Sequence, residues 1–444
     1  MTPFRPFSLS LLSLALGAAL TAPAQAQSLL ELVESARTYD TAWQSARAQL
    51  DAAGRKADQA RAGLLPSAAL TGGLTRSNVE LSKPKIDNTG TAQTVGINAS
   101  QPLYRPANRI NLEQGQRGVD VAQAQLDGAT QDLLVRVSQA YFDVLAAQDT
   151  LTFVQAQKAA VSEQLASAKR NFEVGTSTVT DSREAQARYD LVIAQEIAAE
   201  NDLRVKRLAL DQLVGITGTQ PRPLALPLQL PSVQPANVAT WVDTARDQQP
   251  GVRQAAIALD IARLETKKAE TGHLPTVDLQ AGYNVTRNLH GTITSPGVTA
   301  RSNAASVGVA LNLPLFAGFA VQNRVKETLA LETKAEADLE TARRNVAQAT
   351  RAAFYGVQSG QGQVQALEAA EASSQSALDA NKLGYQVGVR INIDVLNAQS
   401  QLYQTKRDLA QARYNVLLGG LKLRQAAGTL SQQDVAAINA LLAR

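Results

Sequence analysis

Cysteine is absent from the 444 residues, which excludes disulfides, thiol chemistry and a lipid-bearing N-terminal Cys. Aromatics are only 4% while apolar residues reach 45%, so the hydrophobic content comes from Ala, Leu and Val. Small residues let helices approach closely but do not fill a thick core. A length that would ordinarily mean two or three globular domains therefore does not read as compact globules. The two histidines, His273 and His290, lie far apart without metal-site spacing, and no Gly-rich phosphate loop follows a strand. No catalytic residue, metal or cofactor is expected. A net charge of +4, with both signs interspersed, carries no nucleic-acid footprint.

Long apolar runs are also missing. The N-terminus has Arg5, an apolar run from Leu9 to Leu20 and then Ala24-Gln25-Ala26, the pattern of a secretory signal cleaved after Ala26. Nothing later approaches the ~20 apolar residues of a spanning helix. The exported chain thus has no helical anchor, and any membrane insertion has to use strands.

What the chain does contain is one unit written twice. FEVGTSTVTD, Phe172 to Asp181, returns as YQVGVRINID, Tyr385 to Asp394, about 213 residues on, and the same offset aligns Tyr141 with Phe354 and Gly215 with Gly428. Proline is absent between Pro106 and Val174 and again from Gly318 to Val387. Each stretch is long enough for a helix of about 70 residues, roughly 100 Å at 1.5 Å per residue. Val395, Leu402, Leu409, Val416 and Leu423 fall seven apart, a coiled-coil seam. Ala335, Ala342, Ala349, Gly356, Ala370, Ala377 and Gly384 form a second, small-residue line.

The first repeat is predicted over 27–215, with a helix, a strand hairpin about 66–104 and long helices about 106–174 and 179–215. The second runs over 237–428, with a hairpin about 275–316 and helices about 318–387 and 392–428. A Pro-rich linker at 216–236 separates them, because Pro221, Pro223, Pro227, Pro231 and Pro235 rule out a continuous helix. A C-terminal segment, 429–444, carries a short helix after Ser431.

The strands show a period of two, with Val277, Leu279, Ala281, Tyr283 and Val285 on one face and polar residues on the other. Leu81 to Gln93 and Asn288 to Ala304 read as surface loops. Strands of about 11 residues suit either an outer-membrane barrel or an amphipathic hairpin of a soluble sheet. In the first case four strands per chain cannot close a barrel, which starts at about eight. Copies of the chain would have to complete it, since open edges in lipid leave backbone groups unsatisfied.

The signal, the doubled strand-and-helix unit and YQVGVRINIDVLNAQSQLYQTKRDLAQARYN, with GHLPTVDL at 272–279 and LNLPLFAG at 311–318, together resemble the TolC family of outer-membrane efflux and secretion channels. The resemblance implies an α+β membrane protein: a homotrimer with a 12-stranded outer-membrane β-barrel, four strands per chain, continued by a long α-helical coiled-coil tunnel through the periplasm. It implies a passive exit duct of tripartite efflux pumps or type I secretion. The partners would be a periplasmic adaptor and an inner-membrane ABC, RND or MFS transporter, with outer-membrane lipid around the barrel.

Gly175 and Gly388 supply the turn geometry between long helices. By resemblance these turns lie at the tunnel's periplasmic tip, and the gate positions are Thr180, Asp181, Tyr385 and Arg390. Asp394 matches an acidic constriction ring, and Asn397 stands where many relatives carry a second acid, leaving one charged ring. Taken alone, Asp181 and Asp394 are also what the first turn of any helix favours. The rival reading is a secreted coiled-coil scaffold or a periplasmic adaptor. An adhesin anchor usually sets its strands at one end of the chain, and an adaptor has a single helical hairpin, whereas here strands and helices interleave twice.

Overall fold

The computed structural model describes residues 26–443 except 84, 226, 293 and 294; the signal segment, apart from Ala26, lies outside the described residues. In chain order the helices and strands are α1 (Leu29–Tyr39), α2 (Thr41–Ala62), β1 (Ser67–Ser82), β2 (Lys85–Tyr104), α3 (Pro106–Glu173) and α4 (Val179–Val214), followed by α5 (Val238–Gln248) and α6 (Pro250–Glu270). The second repeat continues with β3 (Thr276–Asn288), β4 (Gly291–Thr292), β5 (Ser295–Pro296), β6 (Ala300–Asn312), α7 (Ala320–Gln386), α8 (Asn392–Ala426) and α9 (Gln432–Asn439). Proline opens α3 and α6, where its missing N–H removes no helical hydrogen bond. The helix expected at the start of the first repeat is broken at Asp40, whose extended backbone ends α1 while its carboxylate accepts from Trp43 N at 2.7 Å to cap α2.

The compact units cut across the two repeats. One holds the described residues of 46–126 and 250–344; the other holds those of 1–45, 127–249 and 345–444.

In the first of these, β1, β2, β3 and β6 form one antiparallel sheet in that order, so each repeat contributes two neighbouring strands. Register puts Leu70, Ile97, Tyr283 and Ala305 in one row and Thr71, Gly96, Asn284 and Ala304 in the next. The two rows face opposite ways, because side chains alternate along a strand. The apolar face is left open, with Val307 79%, Leu70 75% and Leu74 70% exposed. The other face is polar and tight: Asn98 Nδ2 donates to Thr71 Oγ1 at 3.1 Å. Arg105, just after β2, grips Asp278 of β3 with both carboxylate oxygens at 2.8 and 2.6 Å, tying the two repeats' strands together.

Two sequence expectations change here. Residues 81–82 and 85–93 are strand rather than loop, because the β1–β2 ladder runs without a break to Ser82 and Lys85. Its Thr, Asn and Gly residues lack the apolar alternation that was sought, yet their backbones continue the pairing. In the second hairpin β6 starts at Ala300 and stops at Asn312, short of Leu315, because Pro314 has no N–H for the ladder.

The second unit holds the cores. Leu29, Leu32 and Val33 of α1 pack with Leu133, Val137, Tyr141 and Phe142 of α3, Leu210 of α4, Leu421 of α8 and Val435 of α9. Farther along, Val154, Val161 and Ala168 of α3 meet Ala185 and Val192 of α4, again at sevenfold spacing. The α8 seam is fully realised, since Val395, Leu402, Leu409, Val416 and Leu423 are all buried. The small-residue line of α7 is covered only in part: within one chain Gly384 is buried while Ala349, Gly356 and Ala377 are exposed, and the other buried positions are Thr328, Leu339, Ala347, Thr350, Phe354, Val357, Val364 and Leu378.

Candidate functional site

Both long-helix pairs turn through the same motif. Thr176 N donates to Asn171 O at 2.8 Å and Gly175 N to Phe172 O at 3.0 Å; Val389 N donates to Gly384 O at 2.9 Å and Gly388 N to Tyr385 O at 3.2 Å. These 6→1 and 5→2 bonds form a Schellman motif in each repeat and satisfy the last carbonyls of α3 and α7. The glycines sit at φ 78° and 81°, a region that costs an L-residue steric strain.

Beyond the turns the aligned carboxylates do different work. Asp181 is the N3 residue of a capping box: its Oδ2 accepts from Ser177 Oγ (2.8 Å), Thr178 N (3.0 Å) and Thr178 Oγ1 (2.8 Å), while Thr178 Oγ1 accepts from Asp181 N. Partial burial raises its pKa, but the Ser177 and Thr178 bonds outweigh that and hold it below the usual carboxylate range. Asp394 receives no such cap. It forms an ion pair at 3.6 Å with Arg390, which stands in the turn just before α8 and is 58% exposed. The Arg390 side chain crosses over Gly384, whose missing Cβ would fall 2.7 Å from Arg390 Cγ.

The structure therefore does not join Arg390 to Asp181 or Thr180 inside one chain. Thr180 is exposed. Tyr385 is half-buried and its Oη accepts from Asn171 Nδ2 at 3.1 Å. What fastens α8 to the first repeat is a residue that sequence reasoning passed over. Asn392 is fully buried, accepts from Gln164 Nε2 of α3 and donates to Asp181 O at 3.4 Å. Its repeat counterpart is the exposed Val179. A polar residue between Ile391 and Ile393, where the other copy has valine, was the available signal.

Asn397 has an equally unforeseen partner: Arg188 Nη2 of α4 donates to its Oδ1 at 2.7 Å. Both line a polar groove of about 400 Å³ between α3, α4 and α8, with Gln157, Gln195, Gln404 and Arg407. Among the described residues Arg407 hydrogen-bonds only amides, Gln157 Oε1 at 3.3 Å and Gln404 Oε1 at 2.6 Å. Burial pulls its pKa below the ordinary guanidinium value, and only Asp408 opposes that. Among the described residues no cluster of His, Cys, Asp or Glu fits a metal ion. The arrangement offers hydrogen bonds and charge.

Comparison with known proteins places these elements. The outer membrane efflux protein family matches residues 32–216 and 241–429, one match per repeat. Outer membrane protein TolC of Vibrio cholerae is 36% identical over 428 residues, 96% of either chain. The proteases secretion protein PrtF of Dickeya chrysanthemi is 30% identical, covering 93% of this chain and 90% of its own. Among solved structures, outer membrane protein VceC of Vibrio cholerae superposes with a TM-score of 0.76 at 19% identity, over 90% of this chain and 96% of its own. The open state of the Neisseria gonorrhoeae MtrE outer membrane channel gives 0.74 at 21% identity, over 91% and 90%.

Proposed function

This chain belongs to the outer membrane efflux protein family and is an exit duct of the outer membrane, and from that premise we propose that it works as a homotrimer gated at its helical tips. The observation that carries the trimer is the four-stranded sheet, whose order leaves one edge each of β1 and β6 without a partner. Its outward-facing row is apolar and exposed. In hydrocarbon every unpaired N–H and C=O costs several kcal/mol, so a sheet with these edges has to close on something. Three copies give 12 antiparallel strands, within the range of closed outer-membrane barrels. The helices then continue as a periplasmic tunnel. A periplasmic adaptor and an inner-membrane transporter supply the energy, and cargo passes without chemistry by the duct.

The gate reading rests on groups left unused within one chain. Thr180 is exposed, and Arg390 spends a single 3.6 Å contact on Asp394, so its remaining donors are free for Thr180 or Asp181 of a neighbouring copy. An exposed pair of this kind contributes about 0–1 kcal/mol, repeated threefold, which favours a closed tip while keeping it reversible. Tyr385 and Arg390 belong to the second repeat only, so α7 and α8 are the helices that move. Asp394 forms the acidic constriction.

Fractionation tests the assembly: heat-modifiable trimers in the outer membrane are expected, and a periplasmic monomer would overturn it. For the gate, Arg390→Ala is expected to raise single-channel conductance of the reconstituted protein. Unchanged conductance in an intact trimer would sink it.

A further inference from the structure

Asn397 is neutral, which by itself leaves the Asp394 ring as the one charged level at the constriction. The side chains give that level a charge of the opposite sign. Arg188 holds Asn397 Oδ1 at 2.7 Å. Among the described residues it has no ion pair, either with Glu184 one turn earlier on α4 or with Asp190, which accepts from Gln186 instead. The acidic level is itself weakened, because Arg390 lies 3.6 Å from Asp394.

Sevenfold spacing decides which way this cluster faces. In a coiled coil, residues seven apart share a face. Asp394, Gln401 and Asp408 are one such series, and Asn397 and Gln404 another one turn away, while Val395, Leu402 and Leu409 are buried against neighbouring helices. Arg188 and Arg407 hydrogen-bond to Asn397 and Gln404, members of the Asp394 face. Both guanidinium groups line the same groove, whose other lining side chains are amides, a hydroxyl and aliphatics with no carboxylate. Two guanidinium groups, each bonded only to neutral amides, keep donors and net positive charge for a ligand.

We propose that Arg188, backed by Arg407, forms a cationic ring one helical turn inward of Asp394, and that this groove is a binding site for small anions, inorganic or carboxylate-, phosphate- or sulfonate-bearing. The inference rests on the trimeric, tip-gated reading, in which the Asp394 face lines the tunnel. Successive rings of opposite sign then make the constriction bipolar. A cation drawn in by Asp394 meets Arg188 about 5 Å later. The duct loses its preference for cations and handles anionic cargo that a purely acidic constriction would repel.

The test is the reversal potential of reconstituted trimers across a KCl gradient, with added citrate as a multivalent anion probe. Arg188→Gln retains a donor for Asn397 and removes the charge. It is expected to shift the K⁺/Cl⁻ permeability ratio toward K⁺ by about two- to fivefold at moderate salt, three screened charges near the axis. It should also weaken block by citrate. Arg188→Lys keeps the wild-type ratio, and Asp394→Asn moves it toward Cl⁻. If Asp394→Asn shifts the ratio while Arg188→Gln does not, the cationic ring is wrong and the acidic constriction stands. If neither shifts it, the Asp394 face does not line the tunnel and both readings fall. Should Arg188→Gln not assemble, Arg407→Gln provides the second measurement: an unchanged citrate block in that variant overturns the binding site.

Discussion

Asn392 is the most sensitive position at the tip, and Asn392→Val is the substitution that tests it. Valine is the residue that the first repeat carries at the aligned place, Val179, so the change makes the repeats alike. The Asn392 side chain is fully buried, its Oδ1 accepting from Gln164 and its Nδ2 donating to Asp181 O. Removing it leaves the amide of half-buried Gln164 without this partner and takes a donor from the Asp181 carbonyl. An unsatisfied buried group costs about 1–3 kcal/mol. If the closed tip holds this contact and the open tip does not, the closed-to-open ratio falls by roughly five- to 150-fold per copy. Single-channel recording is expected to show a larger, longer-lived open conductance in Asn392→Val. The double variant Asn392→Val, Gln164→Leu should recover part of the closed behaviour, because Gln164→Leu removes the amide that Asn392→Val leaves without a partner. Wild-type conductance in an assembled Asn392→Val trimer would refute the assignment.

Gly388→Ala is expected to lower stability by about 1–2 kcal/mol by forcing an L-residue to φ 81°, whereas Gly362→Ala, in open space within α7, should raise it by about 1 kcal/mol; thermal denaturation of the detergent-solubilised protein separates the two signs. Asp181→Ala, which dismantles a capping box, should cost about 1 kcal/mol and Asp394→Ala less in the same assay, because Asp394 caps nothing. Glu265 supplies the pH dependence. Burial raises its pKa, but hydrogen bonds from Gln114, Lys268 and Arg324 outweigh that and hold it at about 2 against an ordinary 4.5. A depressed carboxylate stabilises the fold fully above its unfolded value and loses that contribution as pH falls from 4.5 toward 2. Glu265→Gln should therefore cost about 1–3 kcal/mol at neutral pH and flatten the acid limb of the stability profile.

The helical architecture was legible because its signals are local and repeated. Missing prolines, a buried residue every seventh position on α8 and a Val-Gly pair in each copy need no knowledge of what lies opposite. Strand extent was harder to read. At 81–93 the ladder continues through polar residues, and a ladder is a pairing between backbones that side-chain alternation reports only where one face is apolar. The α7 small-residue line is covered only in part for a related reason: its spacing identifies a face but not whether anything in the same chain covers it.

At the tip, sequence alone determined where the turns fall, that the halves differ at Tyr385 and Arg390, and that Asp394 has no acidic neighbour at Asn397. Pairing was decided only in three dimensions. Arg390 reaches Asp394 because a contact four residues on, from the turn into the first turn of α8, needs no second element, while Ser177 and Thr178 claim Asp181. Asn171, Gln164 and Arg188 lie more than 200 residues from Tyr385, Asn392 and Asn397, and the packing of α3 and α4 beside α7 and α8 is what sets them in contact. Hydrogen bonds between distant elements depend on how helices dock, and docking is fixed by the apolar seams rather than by the polar residues it brings together.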